Sequence, residues 1–145
     1  MLQQMAANVV ARWSGEKVRF DVRSGSGHSV VVDGGKDLGD NQGMRPTEML
    51  LGALATCTGF NAVLLLQKFR QPFTTLSVEV EGEQAPDWPK QFTSIRITFV
   101  IAWEREPDQK LVDKALDLAC NRYCPVDTTL AQGTRIEVAQ REPVG

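Results

Sequence analysis

Residues 46–68 read Pro46-Thr-Glu-Met-Leu-Leu-Gly-Ala-Leu-Ala-Thr-Cys57-Thr-Gly-Phe-Asn-Ala-Val-Leu-Leu-Leu-Gln-Lys68, and this segment predicts one long α-helix. Pro46 suits the first helical turn, where its missing N–H costs nothing. Glu48 in the same turn complements the positive end of the helix dipole. Apolar side chains occur on every side of the predicted helix, so it must be buried on all sides or lie in a membrane.

The uncharged run from Met49 to Leu66 is long enough to raise the question of a membrane span. Thr58 and Asn61 dilute the run, and the segments that flank it have the alternation of amphipathic strands. We therefore expect a soluble protein without a membrane segment. A chain of 145 residues is too small to surround such a helix easily, so we expect the helix to pack partly against a second copy of itself.

The length of 145 residues predicts a single domain over residues 1–145. The formal net charge is −2 and no basic stripe is visible, which argues against a nucleic-acid binder. The first residues lack the charged and apolar regions of a signal peptide, so we expect a cytoplasmic protein.

Three cysteines and one histidine limit the metal chemistry that the chain can support. A zinc site would need all four of them, and the Cys–x₃–Cys spacing of Cys120 and Cys124 is not the usual zinc-knuckle spacing. We expect neither a metal nor a cofactor. In a reducing compartment the three thiols are then core residues or redox groups.

On both sides of the long helix, alternating apolar residues predict strands. Before it we expect a meander of three antiparallel strands, in residues 5–13, 17–23 and 28–33. A glycine-rich loop follows in residues 34–45. After it we expect a hairpin of two strands, in residues 74–81 and 92–103. An amphipathic helix in residues 108–122 and a last strand in residues 134–139 then follow. This order predicts an α+β chain with mainly antiparallel sheets.

Cys124 has a sequence setting that favours an acidic thiol. Pro125 suits the first position of a short helix and Asp127 the third, which would make Cys124 the N-cap. Unpaired N–H groups and the positive dipole end would favour thiolate over thiol there. The alternative is a partly buried cysteine in a turn, since free cysteine is commonly buried.

Cys57 and Cys120 have no activating neighbour in sequence. Cys57 lies among leucines, where a cysteine is more often a small core residue, and it becomes reactive only if a cation or a second thiol meets it. Cys120 lies at the edge of the apolar stripe of its helix, and we predict that it is a core residue.

The segment from Pro46 to Cys57 resembles the proline-, glutamate- and leucine-containing cysteine helix of the OsmC/Ohr family of thiol-dependent hydroperoxide reductases. Tyr123-Cys124-Pro125 resembles the second motif of that family, a cysteine followed by proline. The order of elements agrees over nearly the whole chain, and the chain is most similar to the OsmC-like branch.

The resemblance implies an OsmC-like fold, with the sheets wrapped around a long central helix in an intertwined homodimer. It implies that Cys57 attacks an organic hydroperoxide and becomes a sulfenic acid, and that Cys124 resolves it to a disulfide. A lipoyl- or thioredoxin-like dithiol would then reduce the disulfide. This role also implies an antioxidant function in a stress response.

The family also places a glutamate and an arginine near the attacking thiol. Glu48 is the glutamate candidate, one position later than in the best-studied members because Thr47 follows the proline. Nine residues of helix give a rise of about 13 Å, so Glu48 would have to act across the dimer or is only a first-turn carboxylate. Arg23 is the arginine candidate and Arg45 its rival.

The sequence therefore predicts a cytoplasmic, dimeric peroxidase with Cys57, Cys124, Glu48 and Arg23 as its site residues. Two alternatives stay open. One is a small-molecule-binding dimer of the same fold, which the departure at Thr47 motivates. The other is a stress-responsive structural dimer whose cysteines serve only packing.

Overall fold

The computed structural model describes residues 7–132, and within them three strands precede a long helix that is followed by a hairpin and two further helices. This order confirms the predicted α+β class. The predicted last strand, residues 134–139, lies outside the described residues. The elements are β1 Val9–Trp13, β2 Phe20–Ser24, β3 Ser29–Val32, α1 Pro46–Lys68, β4 Phe73–Gln84, β5 Phe92–Trp103, α2 Gln109–Asn121 and α3 Pro125–Gln132.

The chain forms two compact units, the first ending at Gly52 and the second beginning at Ala53. The boundary falls inside α1, two turns after its start. The prediction of a single domain over residues 1–145 stays a prediction.

The first unit contains the predicted antiparallel meander, in the order β1-β2-β3. Trp13 pairs with Phe20, and Phe20 pairs with Val32 in turn. The prediction that the second strand begins at residue 17 is wrong. Lys17 has a φ of +47°, in the left-handed region that a strand does not use, so the strand begins three residues later.

The loop between β3 and α1 is organised around the buried carboxylate of Asp33, which is 2% exposed. Its two oxygens accept backbone N–H groups from Gly34 at 2.7 Å and from Asp40 and Gln42 at 3.1 Å. Burial by itself would raise the pKa of Asp33, but these backbone hydrogen bonds outweigh it and hold the pKa below its ordinary value. A side chain at Gly39 would collide with an oxygen of Asp33.

The second unit has its core where α1, the hairpin and α2 meet. On α1 the buried residues recur every four positions, at Leu54, Thr58, Ala62 and Leu66, which places them on one face. The β4–β5 hairpin is antiparallel, as predicted. Leu66 forms the core cluster with Val112 and Ala115 of α2, against which residues of the hairpin pack: Phe73, Leu76, Ile101 and Trp103.

The second unit also places Gly59 of α1 against β4. A Cβ atom at position 59 would lie 3.2 Å from Val78 Cγ2, whereas a Cβ atom at Gly52 would meet nothing within 4 Å. Glycine at position 59 therefore permits close packing between α1 and its own sheet.

By length and composition α1 could cross a membrane, with a mean hydropathy of 1.9 over its most apolar window. Core helices of soluble proteins meet the same criterion. Thr58 is fully buried and donates its hydroxyl to the carbonyls of Leu54 at 3.0 Å and Ala55 at 3.2 Å. With the core contacts of Leu66, this places one face of α1 inside the second unit, and 22% of the apolar window is buried there.

Candidate active site

The structure brings together two cysteines that lie far apart in the sequence. Cys57 is half-buried in the middle of α1, and Cys124 is buried immediately before α3. Their side chains share a hydrogen bond, and both thiols are free. Disulfide exchange requires one sulfur to attack the other, and the two thiols are neighbours in the structure, as a dithiol–disulfide couple needs.

The start of α3 fixes the position of Cys124. Pro125 is the first helical residue, and the N–H of Thr128 donates to the Cys124 carbonyl at 3.1 Å. The N–H of Asp127 donates to the Cys124 sulfur at 3.2 Å, so the thiol fills the place of an N-cap oxygen. The predicted N-cap position of Cys124 is confirmed.

The prediction that this position favours a thiolate is wrong. Burial, followed by the hydrogen bond to Cys57, raises the pKa of Cys124 from 9.0 to about 11. The N–H groups of Asp127 and Val126 act in the opposite direction and are outweighed. The end of a helix stabilises a thiolate where solvent or a cation can also reach the sulfur. Cys124 is only 1% exposed, so its thiolate would lose its hydration, and this raises the pKa.

Asn61 joins the two segments that carry the cysteines, and the sequence interpretation gave it no role. Its amide nitrogen Nδ2 donates to the carbonyl of Cys57 at 3.0 Å and to that of Tyr123 at 3.3 Å. Tyr123 directly precedes Cys124. The signal was present in the sequence, because an amide four residues after Cys57 lies on the same face of the helix.

Cys120 is half-buried in the last turn of α2. Burial is the main reason that the pKa of Cys120 is raised, and the nearby carboxylates of Asp127 and Asp117 add to it. This environment keeps Cys120 protonated, which is typical of a structural thiol.

Glu48 has a local role at the start of α1. Its Oε1 atom accepts the backbone N–H of Arg45 at 2.9 Å and lies 3.6 Å from the Arg45 guanidinium. A third-position glutamate that bonds back to the N-cap N–H is half of a capping box. Arg45 also donates to the side chain of Asn41 at 3.0 Å. A catalytic role for Glu48 stays a prediction.

Arg23 lies exposed on β2, opposite Val10 and Ser29. Together with Arg12 and Asp21, it lines an open cavity of about 380 Å³ whose walls are partly polar and partly apolar. Arg23, Arg45 and Glu48 all belong to the first unit and the cysteine pair to the second. The choice of an arginine partner for Cys57 therefore stays a prediction.

Two cavities of the second unit lie on either side of α1. A cleft of about 280 Å³ with both polar and apolar walls is lined by Leu54, one turn before Cys57, and by Asp127, together with residues of β5 and α3. An open groove of about 530 Å³ is lined by α1 and β4, including Phe60, Leu64 and Val78. Phe60 is 71% exposed and Leu64 63%, a large apolar surface for the middle of a helix.

Within residues 7–132, no group of three or more histidine, cysteine, aspartate or glutamate side chains is arranged to hold a metal ion. The expectation of a site without metal or cofactor stays a prediction.

Comparison with known proteins identifies the family. Residues 39–139 match the OsmC-like protein family. Protein YhfA of Escherichia coli (strain K12) is 32% identical over 121 residues, which cover 83% of this chain and 87% of YhfA.

Solved structures show the same fold at lower identity. An OsmC like protein from Mycoplasma pneumoniae has a TM-score of 0.75 at 19% identity, over 90% of each chain. A Legionella pneumophila protein described as an organic hydroperoxide resistance protein OsmC has a TM-score of 0.65 at 14% identity, over 89% of this chain and 91% of that one. These likenesses confirm the predicted OsmC-like fold. With the match over residues 39–139 and the identity to YhfA, they show that the chain belongs to the OsmC-like family.

Proposed function

We propose that this protein is a dimeric thiol peroxidase that reduces organic hydroperoxides through Cys57 and Cys124. The observation that carries the proposal is the hydrogen-bonded contact of the two free thiols. Family membership supports it, and the Legionella pneumophila relative is named for organic hydroperoxide resistance.

In the first step the Cys57 thiolate attacks one oxygen of the hydroperoxide. A sulfur–oxygen bond forms, the oxygen–oxygen bond breaks, and the alkoxide leaves and takes up a proton to give the alcohol. Cys57 is oxidised to a sulfenic acid and the hydroperoxide is reduced. In the second step the Cys124 sulfur attacks Cys57, the sulfur–sulfur bond forms and water leaves.

The environment of Cys124 disfavours it as the thiol that makes the first attack. Its raised pKa keeps it protonated at neutral pH, whereas the first attack on a peroxide requires a thiolate. The proton that Cys124 retains is the one that the departing hydroxide needs to become water. The structure therefore supports Cys57 as the attacking thiol and Cys124 as the resolving thiol.

The surroundings of the pair favour an organic substrate over hydrogen peroxide. Leu54 and Asp127, each about one turn of helix from a cysteine of the pair, line the cleft that also contains Phe92 and Ile97. The apolar side chains of this mixed wall can bind an alkyl group by excluding water from it. Hydrogen peroxide offers no such group.

A homodimer accounts for the exposed apolar groove on α1 and β4. Phe60 and Leu64 project from a helix that carries no charge between Glu48 and Lys68. Association of two α1 helices would remove this surface from water. We retain Arg23 and Glu48 as candidate partners of Cys57, with Arg45 as the rival of Arg23. We propose that the dimer brings one of the two arginines to the thiol.

A dithiol, lipoyl- or thioredoxin-like, would regenerate the enzyme in a reducing cytoplasm. Regeneration breaks the Cys57–Cys124 disulfide and forms one in the reductant, so electrons and protons balance. An open cavity of about 480 Å³, lined by Arg122, Tyr123 and Pro125 among others, adjoins Cys124. This cavity offers a dithiol an approach to the disulfide.

The test is a steady-state assay with cumene hydroperoxide and a dithiol donor. We expect turnover by the wild-type protein and none by Cys57→Ser, while Cys120→Ser serves as the matched control and retains turnover. Absence of turnover in the wild type, or full turnover by Cys57→Ser, would reject the proposal. Unreactive thiols together with tight binding of an apolar compound in the groove would favour the small-molecule-binding dimer.

A further inference from the structure

The amide of Asn61 touches both halves of the cysteine pair through the backbone. One bond runs within α1 to the carbonyl of Cys57, and the other leaves the helix for the carbonyl of Tyr123. Tyr123 belongs to the short connection between α2 and α3 that ends in Cys124. A single side chain therefore links the helix that bears one thiol to the turn that bears the other.

The choice of side chain at position 61 is not explained by helix formation. Asparagine is a weak helix former, and it is the one polar side chain in residues 59–66 of α1. An amide NH₂ group has two donors, which is the number that two carbonyl acceptors require. Leucine or alanine at this position would leave the Tyr123 carbonyl without this donor.

We infer that Asn61 is a positioning residue that holds the Cys124 turn against α1 and so keeps the two thiols within bonding distance. The disulfide gains stability when its sulfurs are held together before it forms, because less conformational freedom is lost on closure. The inference deepens the proposed function, since it concerns the same cysteine pair, but it requires only that the pair can form a disulfide.

The test measures the disulfide directly, in glutathione buffers and without peroxide. When the protein disulfide closes, one glutathione disulfide is reduced to two glutathione thiols. The equilibrium constant therefore gives the effective concentration of one protein thiol at the other. All variants carry Cys120→Ser, which prevents mispairing. The fraction oxidised is read by alkylation and mass spectrometry, and the reduced proteins are compared by thermal unfolding.

The variants are Asn61→Ala, Asn61→Asp and the control Asn121→Ala. Asn121 is an exposed amide in the last turn of α2 whose side chain donates to Asp117 at 2.7 Å. We expect Asn61→Ala to lower the effective concentration by roughly 2- to 10-fold, the range for one net hydrogen bond. Asn61→Asp should lower it further, because a carboxylate repels both carbonyl oxygens. Asn121→Ala should leave it unchanged.

A general loss of stability would shift the thermal unfolding of the reduced protein without a matching shift in the glutathione equilibrium. The inference is overturned if both Asn61 variants keep the wild-type equilibrium, or if Asn121→Ala shifts it equally. Failure of the proposed function has a different signature. A wild-type protein that forms the disulfide in glutathione but does not turn over cumene hydroperoxide would reject the peroxidase and leave the role of Asn61 standing.

Discussion

Gly59 of α1 and Val78 of β4 approach so closely that a Cβ atom on the glycine would lie 3.2 Å from Val78 Cγ2. A methyl group there is tolerated only if Val78 moves by a few tenths of an ångström, and a branched side chain would displace β4. We therefore expect Gly59→Val to destabilise the protein by roughly 1–3 kcal/mol, the usual cost of overpacking, as measured by urea unfolding.

Gly52→Ala is the matched control, because a Cβ atom at Gly52 meets nothing within 4 Å. Replacement of a helical glycine by alanine stabilises by up to about 1 kcal/mol. Destabilisation by Gly52→Ala, together with weaker self-association, would indicate that a second copy packs against this point of α1.

Replacement of Cys124 by serine should separate the two chemical steps. We expect Cys124→Ser to complete the first reduction of cumene hydroperoxide at nearly the wild-type rate and then to stop with a sulfenic acid at Cys57. Dimedone labelling followed by mass spectrometry detects that acid. Multiple turnover by this variant with the same dithiol would show that Cys124 does not resolve the intermediate.

Because folding raises the pKa of Cys124, the contribution of this thiol to the free energy of unfolding changes with pH in the alkaline range. The folded value is about 11 and the ordinary value 9.0, so the folded state favours the neutral thiol. That contribution is fully present below pH 9.0 and is lost as the pH rises through about 11. We expect the Tm difference between wild type and Cys124→Ala to be constant up to about pH 8 and to shrink above pH 9.

The comparison with Cys124→Ala cancels the titration of lysines and tyrosine, which both proteins share. A Tm difference that stays constant or grows above pH 9 would mean that the folded state does not raise the pKa of the Cys124 thiol. Native alkylation of Cys124 should rise over the same alkaline range.

Asp33 should govern the stability of the first unit at acid pH. The pKa of Asp33 is lowered in the folded state, so the stability it contributes is present above about pH 4 and is lost as the pH falls through the folded value. We expect Asp33→Asn to lower Tm by several degrees at pH 7, because an amide cannot accept from Gly34, Asp40 and Gln42 together. Asp37→Asn is a control on the same loop.

The difference in Tm between Asp33→Asn and wild type should narrow below pH 4, because the Asp33 carboxylate of the unfolded chain is protonated there before that of the folded protein. Calorimetry from pH 3 to pH 7 measures it. A constant difference over that range would show that the charge of Asp33 is not what holds the loop.

The apolar groove on α1 should control self-association. We expect Leu64→Asp to convert the proposed dimer into a monomer, because a carboxylate would be buried at the interface without a partner. Leu38→Asp is the control, since Leu38 has the same side chain and is 65% exposed against 63% for Leu64. Light scattering after gel filtration gives the mass, and a dimer that survives Leu64→Asp would place the interface elsewhere.

Local sequence patterns predicted most of the described elements. The bounds of α1 follow from Pro46 and the return of charge at Lys68, and the hairpin follows from the alternation of Val78, Val80 and their neighbours. The start of β2 was missed because the left-handed conformation of Lys17 has no signature in its residue type.

The candidate site was less predictable, because its properties arise from packing. Pro125 was sufficient to place Cys124 at the start of a helix, but burial, which reverses the effect of the helix end on the thiol, is invisible in the local sequence. The contact with Cys57 was expected only from the resemblance to a family. Asn61 was missed because its second acceptor, the Tyr123 carbonyl, comes from a distant segment.

The bond from the Asp127 N–H to the Cys124 sulfur has a consequence for cycling between redox states. A sulfur in a disulfide keeps its lone pairs, so it can accept that N–H whether it is reduced or oxidised. The first turn of α3 need not unwind when the bridge closes or reopens. In the proposed redox cycle, repeated oxidation would then leave the backbone at this end of the helix undisturbed, and the protein would return to the same starting geometry after every round.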